Sequence, residues 1–216
     1  MFIRCFFLYL SMKKSLFFFL LSIQCFSQIK TTAVKAGDIP RSISYTGNII
    51  KALRYTDKLG DNLLITTETG VKDDPYQQDG QNTDSAELFA YHYTLKNGTW
   101  TLNWKIYDFV KECPVDVVAQ YIKDAITITD VDNDKTAEVW LTYLLACHGD
   151  VSPCDMKVIM YENGKKYAMR GENRIQAGEN FYMGGEYKFD KVFNEGPKQF
   201  RGYAEKLWNK YKNPQP

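Results

Sequence analysis

The run Asp130-Val131-Asp132-Asn133-Asp134-Lys135-Thr136-Ala137-Glu138 places carboxylates at its positions 1, 3, 5 and 9. Alternate positions of a tight loop point to one side, so Asp130, Asp132, Asp134 and Glu138 can converge while Thr136 offers its backbone carbonyl. Such a set suits Ca2+, a hard cation that takes about six to eight oxygens in a forgiving geometry. Without an ion, four clustered carboxylates repel one another and raise the pKa of at least one. The competing reading is a solvated acidic turn whose aspartates accept from nearby backbone amides.

Thiols and imidazoles form the second chemical group. Cys113, Cys147 and Cys154 follow the N-terminal leader described below. In an oxidising compartment an odd count leaves one thiol free or joined to another chain. Cys147 with Cys154 would close a short loop through His148-Gly149-Asp150-Val151-Ser152-Pro153. Cys113 with Cys147 would instead tie two distant segments, and spacing does not choose between them. A zinc site built on Cys147, His148 and Cys154 is one ligand short of the roughly four a structural site needs. Adjacent Cys147 and His148 also diverge on a strand, which argues against a Cys-His nucleophile. Ser152, His148 and Asp150 have the atoms of a triad, but neighbours in sequence need not converge in space. His92, beside Ala90 and Thr94 on an alternating run, reads as a packed or edge histidine. Gly184-Gly185 is a turn signal, not a phosphate cradle. Nothing marks one pair of acids for glycoside hydrolysis, and no catalytic residue is assigned.

Period-two alternation dominates the elements that must position these groups. Phe89, Tyr91, Tyr93 and Leu95 alternate, as do Trp100, Leu102, Trp104 and Ile106, with Asn97-Gly98 between the runs. The pattern predicts a long hairpin over 87–109 with one buried face per strand. Residues 137–147 are apolar on both alternating sets and read as a central strand covered on both sides. A second hairpin is expected over 156–162 and 165–170 around Asn163-Gly164. Shorter strands are expected at 49–56, 62–69 and 126–129, and the polar stretch 71–85 reads as a surface loop. Residues 115–124 fit a helix or, given their β-branched content, a strand. Phe200, Ala204, Leu207, Trp208 and Tyr211 recur at helical spacing after Pro197, predicting a C-terminal helix packed on the sheet. The expected fold is mainly β, a β-rich α+β arrangement of antiparallel sheets with propeller-blade-like hairpin units and that helix. Two or three such units are too few to close a propeller.

The chain has 216 residues and a formal charge of +1, one domain's worth without the basic footprint of a nucleic-acid binder. Residues 1–27 read as a signal peptide: Lys13 and Lys14 precede an apolar run from Leu16 to Leu21, and Cys25 and Ser27 mark the exit. The run is too short to span a bilayer, and Met12 is the expected true start. Cleavage before Gln28 is preferred to lipid anchoring through Cys25, because Gln24 stands where a small residue is normally needed. Cleavage removes three of 27 basic residues and none of 26 acids, leaving a net charge of −2. Residues 28–40 read as a lead-in, and 41–216 as a single β-rich domain.

The acidic run resembles the calcium loops of FG-GAP and integrin-type propeller blades, where aspartates at positions 1, 3, 5 and 9 flank a glycine at 6. Here Lys135 takes the glycine's place and Glu138 replaces the last aspartate. A lysine disfavours the left-handed turn and brings positive charge near the ion. Cys113-Pro114-Val115-Asp116, CHGDVSP at 147–153, MKVIMYE at 156–162 and KYAMRG at 166–171 together resemble another family. Its members are small exported bacterial proteins named for surface polysaccharide biosynthesis. The likeness spans residues 41–171 and implies export and a β-rich fold carrying the acidic loop, with no functional residue carried over. The resulting expectation is a cell-envelope or secreted module, non-enzymatic, binding a surface glycan or an envelope protein, with a structural calcium ion. The alternative is an envelope enzyme or accessory factor of polysaccharide metabolism, which requires two convergent acids in a concave pocket. No nucleic-acid partner and no further membrane span are expected.

Overall fold

The computed structural model describes residues 29–78 and 80–213. The leader, with Cys25 and the cleavage point before Gln28, lies outside the described residues. Fourteen strands fall among those described: β1 (Thr31–Ala33), β2 (Asn48–Asp57), β3 (Gly60–Glu68), β4 (Lys72–Gln78), β5 (Gln81–Lys96), β6 (Thr99–Cys113) and β7 (Val117–Tyr121), followed by β8 (Thr127–Thr129), β9 (Glu138–Cys147), β10 (Asp155–Glu162), β11 (Lys165–Glu172), β12 (Arg174–Gly178), β13 (Phe181–Gly184) and β14 (Tyr187–Phe189). Two helices close the chain, α1 (Lys191–Glu195) and α2 (Lys198–Tyr211). No helix among the described residues is long and apolar enough to cross a membrane.

All strand pairs are antiparallel. The first sheet runs β1-β2-β3-β5, with β4 also on β5 and β6 along its other edge; the second runs β14-β11-β10-β9-β7, with β8 beside β7 on β9. The two Asn-Gly hairpins fall one in each sheet. Asn97 and Gly98 have φ of 51° and 77°, and Asn163 and Gly164 have 45° and 75°, the left-handed pair that a two-residue turn requires. The sheets stack face to face. Leu64, Leu88, Ala90 and Ile106 of the first meet Val139, Leu141, Tyr143 and Ile159 of the second in one buried cluster. The outer face of the second sheet, with Trp140, Val158, Met160 and Met169, takes Phe200, Ala204, Leu207 and Trp208 from α2. The expected helix packing is therefore present, and β9 is covered on both faces as its composition demanded.

The lead-in supplies β1, and Ile39 and Ile43 lie over Leu63, Ile65 and Phe89 on the outer face of the first sheet. Two local expectations change, and the open choice at 115–124 resolves. Residues 71–85 are not a loop: β4 pairs with the start of β5 through its backbone, which needs no apolar side chains. The segment at 115–124 resolves into the strand β7 and a short 3-10 turn, Lys123–Ala125. In β6 the register shifts between His92 and Tyr93 of its partner, leaving Asn103 as the extra residue. A one-residue bulge reverses side-chain parity beyond it. Trp104 and Ile106 therefore face the inter-sheet core, Trp100 packs on the opposite face, and Leu102 is 46% exposed.

Candidate metal centre

The acidic loop joins β8 to β9 at one end of the second sheet. Its φ angles are left-handed at Asn133 (61°) and Lys135 (70°), so the lysine adopts the turn a glycine normally makes. Carboxylates hold that path. Asp130 accepts from the Lys135 amide through both oxygens at 3.3 Å, Asp132 from the Asp134 amide at 3.3 Å, and Asp134 from the Thr136 amide at 2.6 Å. Thr136 is buried, and its amide, rather than the carbonyl assigned to an ion above, is the group seen to bond a carboxylate.

Glu138 has no exposed surface. Its carboxylate accepts from the Val131 amide at 2.9 and 3.0 Å and from the Thr129 hydroxyl at 2.6 Å, which in turn accepts from the Trp140 indole at 2.7 Å. Burial pushes Glu138 up to about 7, against the pull of these donors, and the charges of Asp132 and Asp130 add to the rise.

Carboxylate oxygens of Asp130, Asp132 and Glu138 lie within 4.8 Å of one another, a group that could hold a metal ion. A second group, Asp132, Asp134 and Glu162, shares Asp132 and meets the same limit. Glu162 escaped the sequence reading. It ends β10 and sits directly opposite Glu138 in the β9–β10 ladder, a pairing that only the strand register reveals. Its Oε1 is buried with no hydrogen-bond partner among the described residues. Burial, then the charges of Asp132, Asp134 and Glu138, push it up to about 7. An orphaned buried oxygen facing other carboxylates is the feature that a hard cation would satisfy.

The turn between β2 and β3 reaches the same place from the first sheet. The Lys58 amide donates to the Lys135 carbonyl at 2.9 Å, and the Asp57 carboxylate accepts from the Ala137 amide at 3.0 Å. Lys58 Nζ bonds Asp134 Oδ2 at 2.7 Å and, with Thr136, holds that carboxyl below its ordinary value despite burial. The acidic bend is therefore hydrogen-bonded to both sheets, while every carboxylate of the two groups that could hold an ion belongs to the second.

The cysteine alternatives resolve. Cys113 and Cys147 form the disulfide, tying the end of β6 to the end of β9, while Cys154 is free. That removes Cys147 as a zinc ligand and Cys154 from any internal disulfide. Cys154 Sγ lies 3.6 Å from His148 Nε2, and burial raises its thiol. Ser152 donates to Asp150 at 2.6 Å, so the paper triad does not assemble as a Ser-His-Asp relay. His92 is packed, with Nε2 2.7 Å from the Tyr55 hydroxyl and its ring stacked on Trp104 at 5.0 Å. Comparison of the chain with family models, curated proteins and solved structures gives no match, so the functional reading rests on its own geometry.

Proposed function

We propose that this protein is an exported, non-enzymatic binding module of the cell envelope that engages a glycan on the outer face of its first sheet. Calcium at the acidic bend braces the β8–β9 loop against the end of β10 within its second sheet. The observation that carries the binding reading is an exposed aromatic strip. Beyond the bulge, Tyr107 and Phe109 of β6 point away from the core and are 43% and 44% exposed. Tyr107 stacks on Phe89 at 5.0 Å and sits 5.1 Å from Phe109. Lys105 lies 4.8 Å above the Phe89 ring and Lys111 lies 4.7 Å from that of Phe109, while the Tyr107 hydroxyl donates to Glu87 at 2.6 Å. Large aromatic rings left half-exposed on a rigid strand offer apolar surface to sugar rings, and Lys105 and Lys111, which lie over the rings, offer donors to sugar hydroxyls. The calcium part of the reading is supported by the convergence of Glu162 on the loop carboxylates.

Glycan-array binding of the protein, repeated with Tyr107→Ala and Phe109→Ala, tests the binding reading. Binding that falls at least tenfold in both variants supports it. Uniformly null arrays, or binding indifferent to both rings, overturn it.

A further inference from the structure

A cavity of about 650 Å3 lies at the edge of the second sheet formed by β10, β11 and β14, lined by no residue of the acidic bend. Its volume falls within the range of about 300–1,000 Å3 usual for small-ligand sites. Across its floor the strand registers set Lys157 opposite Arg170 and Arg170 opposite Lys188, three cations in one cross-strand row. Like charges directly opposite on neighbouring strands destabilise a sheet. Lys157 is relieved by Asp108, whose Oδ2 lies 2.7 Å from Nζ and also accepts from the Tyr143 hydroxyl. Arg170 and Lys188 have no ion pair among the described residues. Lys166 feels the row: burial first, then the Arg170 charge, lower its pKa, with Lys157 adding to the effect against Asp108 and Asp190.

The next row along the same strands has the opposite sign. Asp155 stands opposite Glu172, both exposed, and Glu186 lines the cavity beside them. A site with cations along one side and free carboxylate acceptors along the other matches a ligand that carries an anionic group on one edge and hydroxyl donors on the next. The Arg170 guanidinium is suited to a planar carboxylate, which it grips through two parallel hydrogen bonds.

We infer that this groove binds a carboxylated saccharide, with the uronate carboxylate on Arg170 flanked by Lys157 and Lys188, and sugar hydroxyls donating to Asp155 and Glu172. The choice of a saccharide rests on the glycan reading above; the choice of an anion rests on the cation row alone. Trigalacturonate titrated calorimetrically into the purified protein tests it, with maltotriose as the uncharged counterpart and sulfate as the bare anion. Saturable trigalacturonate binding at millimolar or tighter Kd is expected, weakened at least tenfold in Arg170→Gln and severalfold in Glu172→Gln, with maltotriose not bound. Both side chains are exposed, and an unchanged melting midpoint in each variant confirms that the fold is intact. No trigalacturonate binding, binding unchanged in Arg170→Gln, or sulfate binding as tightly as the trisaccharide overturns the inference. Glycan binding abolished by Tyr107→Ala but indifferent to Arg170→Gln overturns the groove while leaving the module's glycan reading standing.

Discussion

Replacing Glu162 with Gln separates a cation site from an acidic turn, because the two readings give opposite signs in two buffers. The Glu162 carboxyl rises from 4.5 to about 7 on folding. Between those values the folded chain keeps a proton that the unfolded chain has released. The group therefore stabilises below about pH 4.5 and loses that contribution as pH rises through about 7. At about 1.4 kcal/mol per pH unit, a fully enclosed group would forfeit about 3 kcal/mol; partial exposure reduces this to roughly 1–2 kcal/mol. A chain of this length gains about 2–4 °C in Tm per kcal/mol. In EDTA at pH 8, Glu162→Gln should therefore melt roughly 2–8 °C above the wild type, because the isosteric amide removes a charge held in a buried place and, secondarily, its repulsion by the neighbouring carboxylates. Calcium at about a hundredfold its Kd should stabilise the wild type by about 2.7 kcal/mol, and the variant should lose most of that gain. Differential scanning calorimetry in EDTA and in millimolar CaCl2, at pH 5 and pH 8, reads both arms. A wild-type midpoint indifferent to calcium, or a variant that gains as much as the wild type, would refute the metal reading. An identical pH slope in the two apo proteins would refute the buried, raised Glu162 carboxyl that motivates it.

Three further outcomes follow from the same structure. Converting Cys113 and Cys147 together to Ser opens a link with a sequence separation of 34, and chain entropy puts the loss at about 4 kcal/mol, readable by urea unfolding of the variant beside the oxidised parent. His92 is held neutral by burial, down to about 4 against an ordinary 6.5, so its ring resonances should not titrate above about pH 5 by NMR. Its depressed pKa contributes stability that is whole above pH 6.5 and declines by roughly 3 kcal/mol as pH falls through about 4, the reverse of the Glu162 trend. A Cβ at Gly171 would lie 1.9 Å from the Glu186 carbonyl oxygen, so Gly171→Ala should push β14 off the sheet edge. The cost is about 1–3 kcal/mol, with faster amide exchange at 187–189.

Much of the fold was legible because its determinants are local. An Asn-Gly pair specifies a hairpin from two residues, and strict alternation on either side supplies the strands. The apolar face from Phe200 to Tyr211 declares α2 in the same way. What stayed hidden depends on partners distant in sequence. The polar strand β4 exists because β5 extends beyond β3 and offers it a backbone edge. The three-residue β14 is too short for any periodicity, and α1 is a single turn started by Asp190, whose carboxylate accepts from the Phe193 amide at 2.8 Å. The bulge at Asn103 leaves no compositional trace, yet it decides which aromatic residues of β6 are wet.

At the acidic bend the same division appears within one site. The loop carboxylates were visible from their spacing, whereas Glu162 and the Asp57-Lys58 turn arrive from strands whose register no local pattern reports. Lys135 looked like an obstacle because a left-handed non-glycine residue costs on the order of 1–3 kcal/mol. The structure shows how that cost is offset: the Lys135 amide donates to Asp130 and its carbonyl accepts from Lys58. A carboxylate has about four lone-pair sites, so one that accepts an amide can still face a cation. The aspartates shape the loop through hydrogen bonds that need no metal, while Glu162 brings an oxygen that finds no donor. An ion entering such a bend has little backbone to reorganise, so most of its binding free energy should appear as added stability of the bend and of the β9–β10 end that Glu162 joins to it.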